Sequence, residues 1–212
     1  MKHLLLEKVY PITHSGDPDG LDHVELAKCF LKSGIRFFQV REGQPRDSSF
    51  YRQLLRIKAL CEPLKAQFLV NDRVDLALAA GAHGVHLGQE DLPVKVARKL
   101  LGPQAIVGLS THNRQQFEAA QAEDIDYVAI GPIFPTSTKK DSHDPIGLAA
   151  LPEIISQSRH PVVAIGGISL ERASEVWRAG ADSVAVISDI VNFSNPAERI
   201  SQYLSLSRET SW

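Results

Sequence analysis

Short β-rich runs alternate with amphipathic stretches along the whole chain, and this alternation restricts the fold more than any other sequence feature. Eight β-rich runs occur, at residues 9–13, 36–41, 67–72, 84–88, 106–111, 127–132, 162–167 and 183–188. Eight stretches carry apolar residues at helical spacing, at residues 21–33, 49–62, 73–80, 93–101, 114–122, 147–157, 170–179 and 196–205. Strands that alternate with helices pair in parallel through helical crossovers. The sequence therefore predicts an α/β fold, a single (β/α)8 TIM barrel with residues 1–212 as one domain.

A weak internal repeat supports the barrel. Gly34, Gly81 and Gly180 each stand just past a predicted helix and directly before an apolar strand. A glycine in that position can adopt the left-handed backbone that ends a helix. The alternative is an open doubly wound sheet, which the near-even spacing and the lack of a glycine-rich nucleotide fingerprint disfavour.

The charge balance bears on the partners of the protein. The chain has 23 Lys and Arg against 25 Asp and Glu, so no broad positive field would attract nucleic acid or an anionic membrane. The N-terminal apolar patch is too short for a signal peptide, and no apolar run has transmembrane length. We expect a cytoplasmic protein without nucleic-acid or membrane partners. Cys29 and Cys61 lie far apart and are expected to be buried structural thiols. The sequence does not decide the oligomeric state, and a homo-oligomer is one of the possible states.

Polar residues and glycines gather where the predicted strands end. They are Thr13, Gln39, Arg41, Asn71, Asp72, Gln89, Asp91, Ser110, Thr111, Thr136, Thr138, Lys139, Gly166, Gly167 and Ser188. The opposite strand ends are mostly Gly-Ala turns. Active sites of (β/α)8 barrels lie at the carboxyl ends of the strands. The sequence therefore predicts a functional site on that face.

Two of these strand ends suit a phosphate group. "AIGGIS" (164–169) places two glycines before a helix, and "VAVISDI" (184–190) supplies a neighbouring turn with Ile187 and Ser188. Backbone N–H groups at such turns can bind an anion, and the last two loops of this fold are its usual phosphate site. The alternative is that the glycines only permit tight turns.

Two acids suit a metal. Asp72 and Asp91 follow neighbouring predicted strands, so their carboxylates are expected to face one cavity. Each could instead cap the helix that follows it. Mg²⁺ is typically held by one or two carboxylates together with water and substrate phosphates. The spacing therefore favours Mg²⁺ with a diphosphate.

Further donors surround the same predicted cavity. Gln39 and Arg41 are two residues apart on one strand and share a face, and Arg41 could bind phosphate oxygens or pair with a loop acid. The loop "GPIFPTSTKKD" (131–141) adds Thr136, Thr138 and Lys139. Together these groups could surround a diphosphate on one side and a monophosphate on the other.

The histidines do not form recognisable catalytic machinery. His86 lies inside a predicted strand and reads as a hydrogen-bonded interior residue, His112 reads as a helix-start residue, and His14 could face the cavity. No Ser-His-Asp arrangement, zinc spacing or glycosidase acid pair is found. This favours chemistry driven by holding a leaving group.

Five motifs carry a resemblance to a known family. "VNDRVDLALAAGAHGVHLGQEDLP", "GLSTH", "GPIFPTSTKKD", "PVVAIGGIS" and "AGADSVAVIS" closely resemble the thiamine phosphate synthase and TenI-like family, over residues 10–190. The resemblance implies that hydroxymethylpyrimidine diphosphate and thiazole phosphate are joined, with release of pyrophosphate.

The resemblance also implies a role for each site residue. Mg²⁺ would be bound by Asp72 and Asp91. The pyrimidine diphosphate would lie near Gln39, Arg41, Asn71, Ser110 and Lys139. The thiazole phosphate would lie near Thr136, Thr138, Gly167, Ile187 and Ser188. Arg41, Lys139 and Ser110 would be the catalytic residues.

The chain departs from the family pattern at one position. The family motif Gln-x-Arg-x-Lys reads Gln39-Val40-Arg41-Glu42-Gly43 here, so a diphosphate-binding lysine is absent, and we hypothesise that Arg46 replaces its charge. The substitution keeps two alternatives open: a thiazole tautomerase of the TenI branch, and a phosphate-binding barrel without turnover. Pro132 stands where known tautomerases have a catalytic histidine, which favours the synthase.

Overall fold

A computed structural model describes residues 4–15, 20–43, 47–136 and 143–210. Eight parallel strands close into a barrel in sequence order, and the last strand pairs with the first. The strands are β1 (Val9–Ser15), β2 (Phe37–Glu42), β3 (Gln67–Asn71), β4 (Gly84–Leu87), β5 (Ile106–Thr111), β6 (Tyr127–Ile130), β7 (Val162–Ile165) and β8 (Ser183–Val186). The predicted (β/α)8 TIM barrel is therefore confirmed.

Helices connect the strands and cover the outside of the barrel. The described α-helices are α1 (His23–Lys32), α2 (Asp47–Cys61), α3 (Val74–Ala80), α4 (Val94–Leu101), α5 (Arg114–Ala120), α6 (Leu151–Ile155), α7 (Leu170–Arg178), α8 (Ser188–Val191) and α9 (Pro196–Glu209). Short 3₁₀ turns occupy Glu62–Leu64 and Leu148–Ala150. None of these helices is both long enough and apolar enough to span a membrane.

The sequence predicts eight helices, one fewer than the α-helices of the described residues. Residues 183–188 read as one strand, whereas β8 ends at Val186 and Ser188 begins the four-residue helix α8. A single helical turn is too short to produce an apolar repeat, so sequence periodicity could not reveal it. Likewise β6 ends at Ile130, and the N–H of Ile133 already donates to the carbonyl of Ile165 in the loop beyond.

Two apolar layers stabilise the barrel. The interior is filled by Tyr10, Ile12, Phe37, Leu69, Ile106, Tyr127, Ala129, Val163 and Ala185. A larger layer packs the outward faces of the strands against the helices. Because both faces of each strand are covered, the strands are nearly continuous apolar runs. Polar side chains inside the barrel therefore stand out, and those nearest its mouth form the site.

The two cysteines are free thiols. Cys61 is buried, and burial raises the pKa of its thiol to about 12, so it remains protonated at neutral pH. The expected burial is confirmed for Cys61. Cys29 is only half-buried, so the expectation of burial is met in part.

Candidate active site

Two connected cavities open at the carboxyl ends of the strands. The inner cavity is lined by Tyr10, Ile12, Gln39, Arg41, Asn71, Asp72, His86, Gly88, Ser110, Ala129, Val163, Ile165, Ala185 and Ile187. The outer pocket is lined by Ser110, His112, Gly131, Pro132, Thr136, His143, Ile165, Gly166, Gly167, Ile168, Ala185, Ile187 and Ser188. Ser110 and Ile187 line both, so the two spaces meet at these residues.

The predicted site residues divide between the two cavities. Gln39, Arg41, Asn71 and Asp72 line the inner cavity. Thr136, Gly167 and Ser188 line the outer pocket, while Ser110 and Ile187 belong to both. Thr138, Lys139 and Arg46 lie outside the described residues. The expected division between a diphosphate side and a monophosphate side stays a prediction.

Thr13 does not belong to the site, although it ends a predicted strand. Its hydroxyl oxygen lies 2.7 Å from Nδ1 of His23, and both residues are buried between β1 and α1. Nε2 of His23 lies 3.3 Å from a carboxylate oxygen of Glu42. Thr13, His23 and Glu42 therefore tie the first helix to the barrel wall, outside the cavities.

Arg41 is held at the mouth of the barrel, where the described residues offer it no counter-ion. Its Nη1 lies 3.2 Å from Nδ1 of His14. Burial, followed by the charge of Arg41, lowers the pKa of His14, so its imidazole is neutral at pH 7 and can accept this hydrogen bond. Among the described residues, the buried Nε of Arg41 has no hydrogen-bond partner and no carboxylate pairs with the guanidinium. The alternative of an ion pair with a loop acid is therefore not met among those residues.

Neither acid caps the helix that follows it. The N-cap residues of α3 and α4 are Arg73 and Pro93, and neither makes a side-chain capping bond. Asp72 lines the inner cavity and has a φ of 61°, a left-handed backbone that is uncommon for a residue other than glycine. Such a conformation is retained only where the surroundings impose it, and it is typical of functional sites.

Asp91 lies beside the inner cavity rather than in its wall. Its Oδ2 accepts a hydrogen bond of 2.6 Å from the backbone N–H of Gly88, and Gly88 is itself a wall residue. The side chain is half-buried. Asp91 thus stabilises the turn after β4 and keeps its other carboxylate oxygen for a further partner. Across the described part of the chain, no group of three or more acids, histidines or cysteines is arranged to hold a metal ion.

The glycines of the β7 turn bring two loops together. Gly166 and Gly167 have φ of 100° and 64°. A Cβ on Gly166 would lie 2.5 Å from Pro132 Cα, and a Cβ on Gly167 would lie 2.5 Å from the Pro135 carbonyl oxygen. The N–H of Phe134 donates to the Gly166 carbonyl at 3.0 Å. The glycines therefore permit tight turns and also let the β6 loop lie directly over the outer pocket.

The outer pocket offers backbone donors. Within the described ranges, no acceptor is bonded to the backbone N–H of Gly167 or of Ser188. Both residues line the pocket, and Thr136 lines the same space from the opposite loop. Unpaired N–H groups beside a hydroxyl side chain form a suitable environment for a phosphate group.

His112 and His143 lie in the wall of the outer pocket as a stacked pair, with ring centroids 4.0 Å apart. His112 donates from Nδ1 to the carbonyl of Gly131 at 2.9 Å. The helix that follows is capped by Asn113, whose side chain accepts from the N–H of Gln116. The backbone N–H of His112 donates to Oε1 of Gln116 in the first turn at 2.8 Å, so His112 helps this helix start, as predicted, through its backbone. The sequence did not predict that His143 lies in the pocket wall.

A buried hydrogen-bond chain crosses the floor of the inner cavity. Nε2 of Gln39 lies 3.1 Å from the hydroxyl of Tyr10, which lies 2.9 Å from the hydroxyl of Tyr127. Nδ1 of His86 lies 2.7 Å from the Tyr127 hydroxyl, and its Nε2 lies 2.8 Å from Oγ of Ser110. The expectation that His86 is a hydrogen-bonded interior residue is confirmed.

The contact between the two tyrosines is not predicted by the sequence patterns. Both stand in strands, and a buried tyrosine usually finds a hydrogen-bond partner. Tyr10 and Tyr127 are 117 residues apart, however, and only barrel closure brings them together. Burial raises the pKa of both phenols, so both remain protonated.

Comparison with known proteins decides the family. A family model described as thiamine monophosphate synthase matches residues 9–190. The chain belongs to the thiamine monophosphate synthase family. A thiamine-phosphate synthase of Lawsonia intracellularis is 40% identical over 194 residues, covering 92% of this chain and 89% of the relative. One of Caldicellulosiruptor saccharolyticus is 37% identical over 201 residues, covering 95% and 91%.

A solved structure agrees with this thiamine monophosphate synthase family assignment. Thiamine phosphate pyrophosphorylase from Pyrococcus furiosus superposes with a TM-score of 0.86 at 33% sequence identity, over 97% of both chains. The resemblance predicted from the motifs is confirmed. The matched range extends from β1 into α8, so it contains every strand that contributes to the two cavities.

Proposed function

We propose that this protein is a thiamine-phosphate synthase, a transferase that joins hydroxymethylpyrimidine diphosphate to thiazole phosphate and releases pyrophosphate. The observation that carries the proposal is Arg41, which lines the inner cavity and whose buried Nε finds no acceptor among the described residues. A buried donor without a partner costs free energy, and a bound ligand can supply the acceptor. Phosphate oxygens match the forked donors of arginine.

Asp72 and Asp91 fit a divalent cation bound with that diphosphate. They follow the neighbouring strands β3 and β4, and neither acts as a helix cap. Two carboxylates, completed by water and phosphate oxygens, are a typical ligand set for Mg²⁺. When bound, Mg²⁺ would neutralise part of the charge on the diphosphate oxygens.

The thiazole phosphate is proposed to occupy the outer pocket. Its phosphate would accept hydrogen bonds from the backbone of Gly167 and Ser188 and from the hydroxyl of Thr136, with Thr138 contributing from outside the described residues. Ile187 lines both cavities and would separate the phosphate from the reacting centre. The two substrates would then meet beside Ser110.

The proposed reaction needs no protein nucleophile. Arg41 offers fixed positive charge to the departing pyrophosphate, and Lys139 is proposed to do the same. The carbocation left on the pyrimidine methylene is stabilised by the amino group of its own ring. Ser110 and Gln39 hold that ring while the thiazole nitrogen attacks the methylene carbon. Holding both substrates in line converts a bimolecular encounter into an intramolecular step.

Two alternatives explain fewer features of the site. A thiazole tautomerase would use only the thiazole phosphate, and Pro132 stands where such enzymes have a histidine. A phosphate-binding barrel without turnover would need only the outer pocket. Neither gives a role to Arg41 and Asp72 in the inner cavity. We further propose that residues 1–212 act as one domain on small phosphorylated molecules, without nucleic-acid or membrane partners.

The experiment is incubation of the protein with both substrates and Mg²⁺, with thiamine phosphate detected by mass and pyrophosphate by a coupled assay. We expect equal amounts of the two products, and their loss when Mg²⁺ is chelated. Arg41→Lys should lower kcat/KM for the pyrimidine diphosphate by about thirtyfold, the value of one charge-assisted hydrogen bond of about 2 kcal/mol. The control is Arg56→Lys on the exposed face of α2.

Two results would contradict the proposal. Folded protein that binds thiazole phosphate without releasing pyrophosphate would support the binding barrel. Isomerisation of thiazole phosphate in the absence of the pyrimidine substrate would support the tautomerase.

A further inference from the structure

The hydrogen-bond chain in the inner cavity has a direction, and the direction follows from its first member. The Nε2 of Gln39 can only donate, so the hydroxyl of Tyr10 accepts from it. The hydrogen of Tyr10 then has one acceptor among the described residues, the hydroxyl of Tyr127. Tyr127 in turn donates to Nδ1 of His86, which leaves the imidazole proton on Nε2. Nε2 donates to Ser110.

The opposite direction leaves a buried group unsatisfied. If His86 donated from Nδ1 to Tyr127, the Tyr127 hydrogen would point to Tyr10, which already accepts from Gln39. The hydrogen of Tyr10 would then have no acceptor, in a residue only 1% exposed. A doubly protonated His86 would produce the same defect. Because an unmade buried hydrogen bond is costly, the first direction is favoured.

The two ends of this chain face the substrate space. Ser110 accepts from His86, so its own hydrogen is left for a ligand, since the described residues offer it no acceptor. Gln39 donates from Nε2, so its carbonyl Oε1 is left as an acceptor in the same cavity. The cavity therefore presents one fixed donor and one fixed acceptor.

We propose that Tyr10, Tyr127 and His86 are positioning residues that hold Ser110 as a hydrogen-bond donor and Gln39 as an acceptor toward the substrate ring. An aminopyrimidine carries both matching groups: a ring nitrogen that accepts and an amino group that donates. This assignment of the ligand rests on the proposed function, whereas the direction of the chain does not.

The packing around Tyr127 holds its side chain in one position. The ring of Tyr127 stacks on His86 with centroids 5.5 Å apart and meets Tyr10 edge-on at 5.8 Å. A Cβ on Gly108 would lie 2.1 Å from Cζ of Tyr127, so only glycine on β5 leaves space for this ring. The tyrosine hydroxyl is thereby fixed between its two partners.

The first test needs no substrate. Nitrogen-15 NMR of histidine-labelled protein reports which imidazole nitrogen is protonated, and the His86 signals are assigned by their loss in His86→Asn. We expect the proton of His86 on Nε2, and we expect Tyr127→Phe to abolish this strict preference. A proton on Nδ1 in the wild-type protein would overturn the inference, whatever reaction the protein catalyses.

The second test is kinetic. Tyr127→Phe removes only the hydroxyl, and we expect kcat/KM for the pyrimidine diphosphate to fall about tenfold while KM for thiazole phosphate is unchanged. Tyr51→Phe, a half-buried tyrosine of α2, is the matched control. Because Tyr127 acts through Ser110, the double variant with Ser110→Ala should lose much less than the product of the two single losses.

If the loss of kcat/KM in the double variant equalled the product of the two single losses, Tyr127 would have only a structural role. The same would follow if Tyr51→Phe lowered kcat/KM as much as Tyr127→Phe does. If the wild-type protein made no thiamine phosphate, the proposed function would fail, and the NMR result would still decide the direction of the chain.

Discussion

Asp189 and Arg199 form a two-pronged ion pair, with Nε of Arg199 2.8 Å from Oδ2 and Nη2 2.9 Å from Oδ1. Oδ2 also accepts from the hydroxyl of Tyr203 at 2.7 Å and from the N–H of Leu170 at 3.2 Å. Burial would raise the pKa of Asp189, but the hydrogen bonds from Arg199 and Tyr203 outweigh it and lower the pKa. One carboxylate therefore ties α8, α9 and the start of α7 together behind the outer pocket.

Removing this charge should affect both stability and the outer pocket. We expect Asp189→Asn to lower the free energy of unfolding by about 2 kcal/mol, because Arg199 loses its two-pronged ion pair and keeps, among the described acids, only the longer contact with the exposed Glu171. KM for thiazole phosphate should rise, while KM for the pyrimidine diphosphate stays unchanged. Urea denaturation and kinetics with each substrate varied separately measure both effects. Glu175→Gln, on the exposed face of α7, is the control. Equal increases in both KM values would count against the proposed division of the site.

Asp72→Asn tests the metal assignment. Asparagine tolerates a left-handed backbone, so the φ of 61° should be retained and the free energy of unfolding should change by less than about 0.5 kcal/mol. Turnover should fall by about a hundredfold or more, because metal-ion stabilisation of leaving-group charge amounts to several kcal/mol. Asp75→Asn is the matched control, since Asp75 is exposed and paired with Arg73. Wild-type turnover in Asp72→Asn would remove Asp72 from the metal site.

Gly43→Lys restores the family lysine. Gly43 is exposed, and a Cβ added there would meet no atom of the described residues within 4 Å, so the first carbon of the new side chain has space there. We expect the affinity for pyrophosphate with Mg²⁺ to rise about tenfold, measured by calorimetry. Unchanged affinity would mean that residue 43 does not reach the diphosphate.

Arg46→Ala tests whether Arg46 supplies the missing charge. If it does, the substitution weakens pyrophosphate binding in the wild-type background and weakens it much less in the Gly43→Lys background. Arg46 lies outside the described residues, so this expectation comes from the sequence alone. Identical binding before and after Arg46→Ala would end the compensation hypothesis.

Buried histidines should make the fold sensitive to acid. Burial is the largest cause that lowers the pKa of His14, His23 and His83. The unfolded chain therefore takes up protons near pH 6.5, where the folded protein does not. Their contribution to stability is complete above pH 6.5 and is lost as the pH falls toward the folded-state values.

His23 gives the clearest measurement, since its side chain is fully buried. It should contribute up to about 1.4 kcal/mol per pH unit to the slope of the unfolding free energy on the acid side. Urea denaturation across that range should give a smaller slope for His23→Gln than for the wild-type protein. Equal slopes would mean that His23 is protonated equally in both states.

The barrel and its functional face could be predicted from the sequence because both depend on local periodicity and on which residues end the strands. Gln39 and Arg41 share a strand face by spacing alone. The four-residue helix α8, which begins at Ser188, could not be predicted, because a single helical turn is too short to give a periodic pattern. The contact between Tyr10 and Tyr127, and the pairing of Arg41 with His14, depend on barrel closure and side-chain direction. Local sequence patterns contain no information on barrel closure or on side-chain direction.

A crystal structure with pyrophosphate, Mg²⁺ and thiazole phosphate would test the proposal that the inner cavity holds a diphosphate and the outer pocket a monophosphate. We expect pyrophosphate against Arg41, with the metal ion between it and the carboxylates of Asp72 and Asp91. The thiazole phosphate group should lie against the backbone of Gly167 and Ser188. Pyrophosphate bound in the outer pocket, or a metal ion that contacts neither acid, would contradict it.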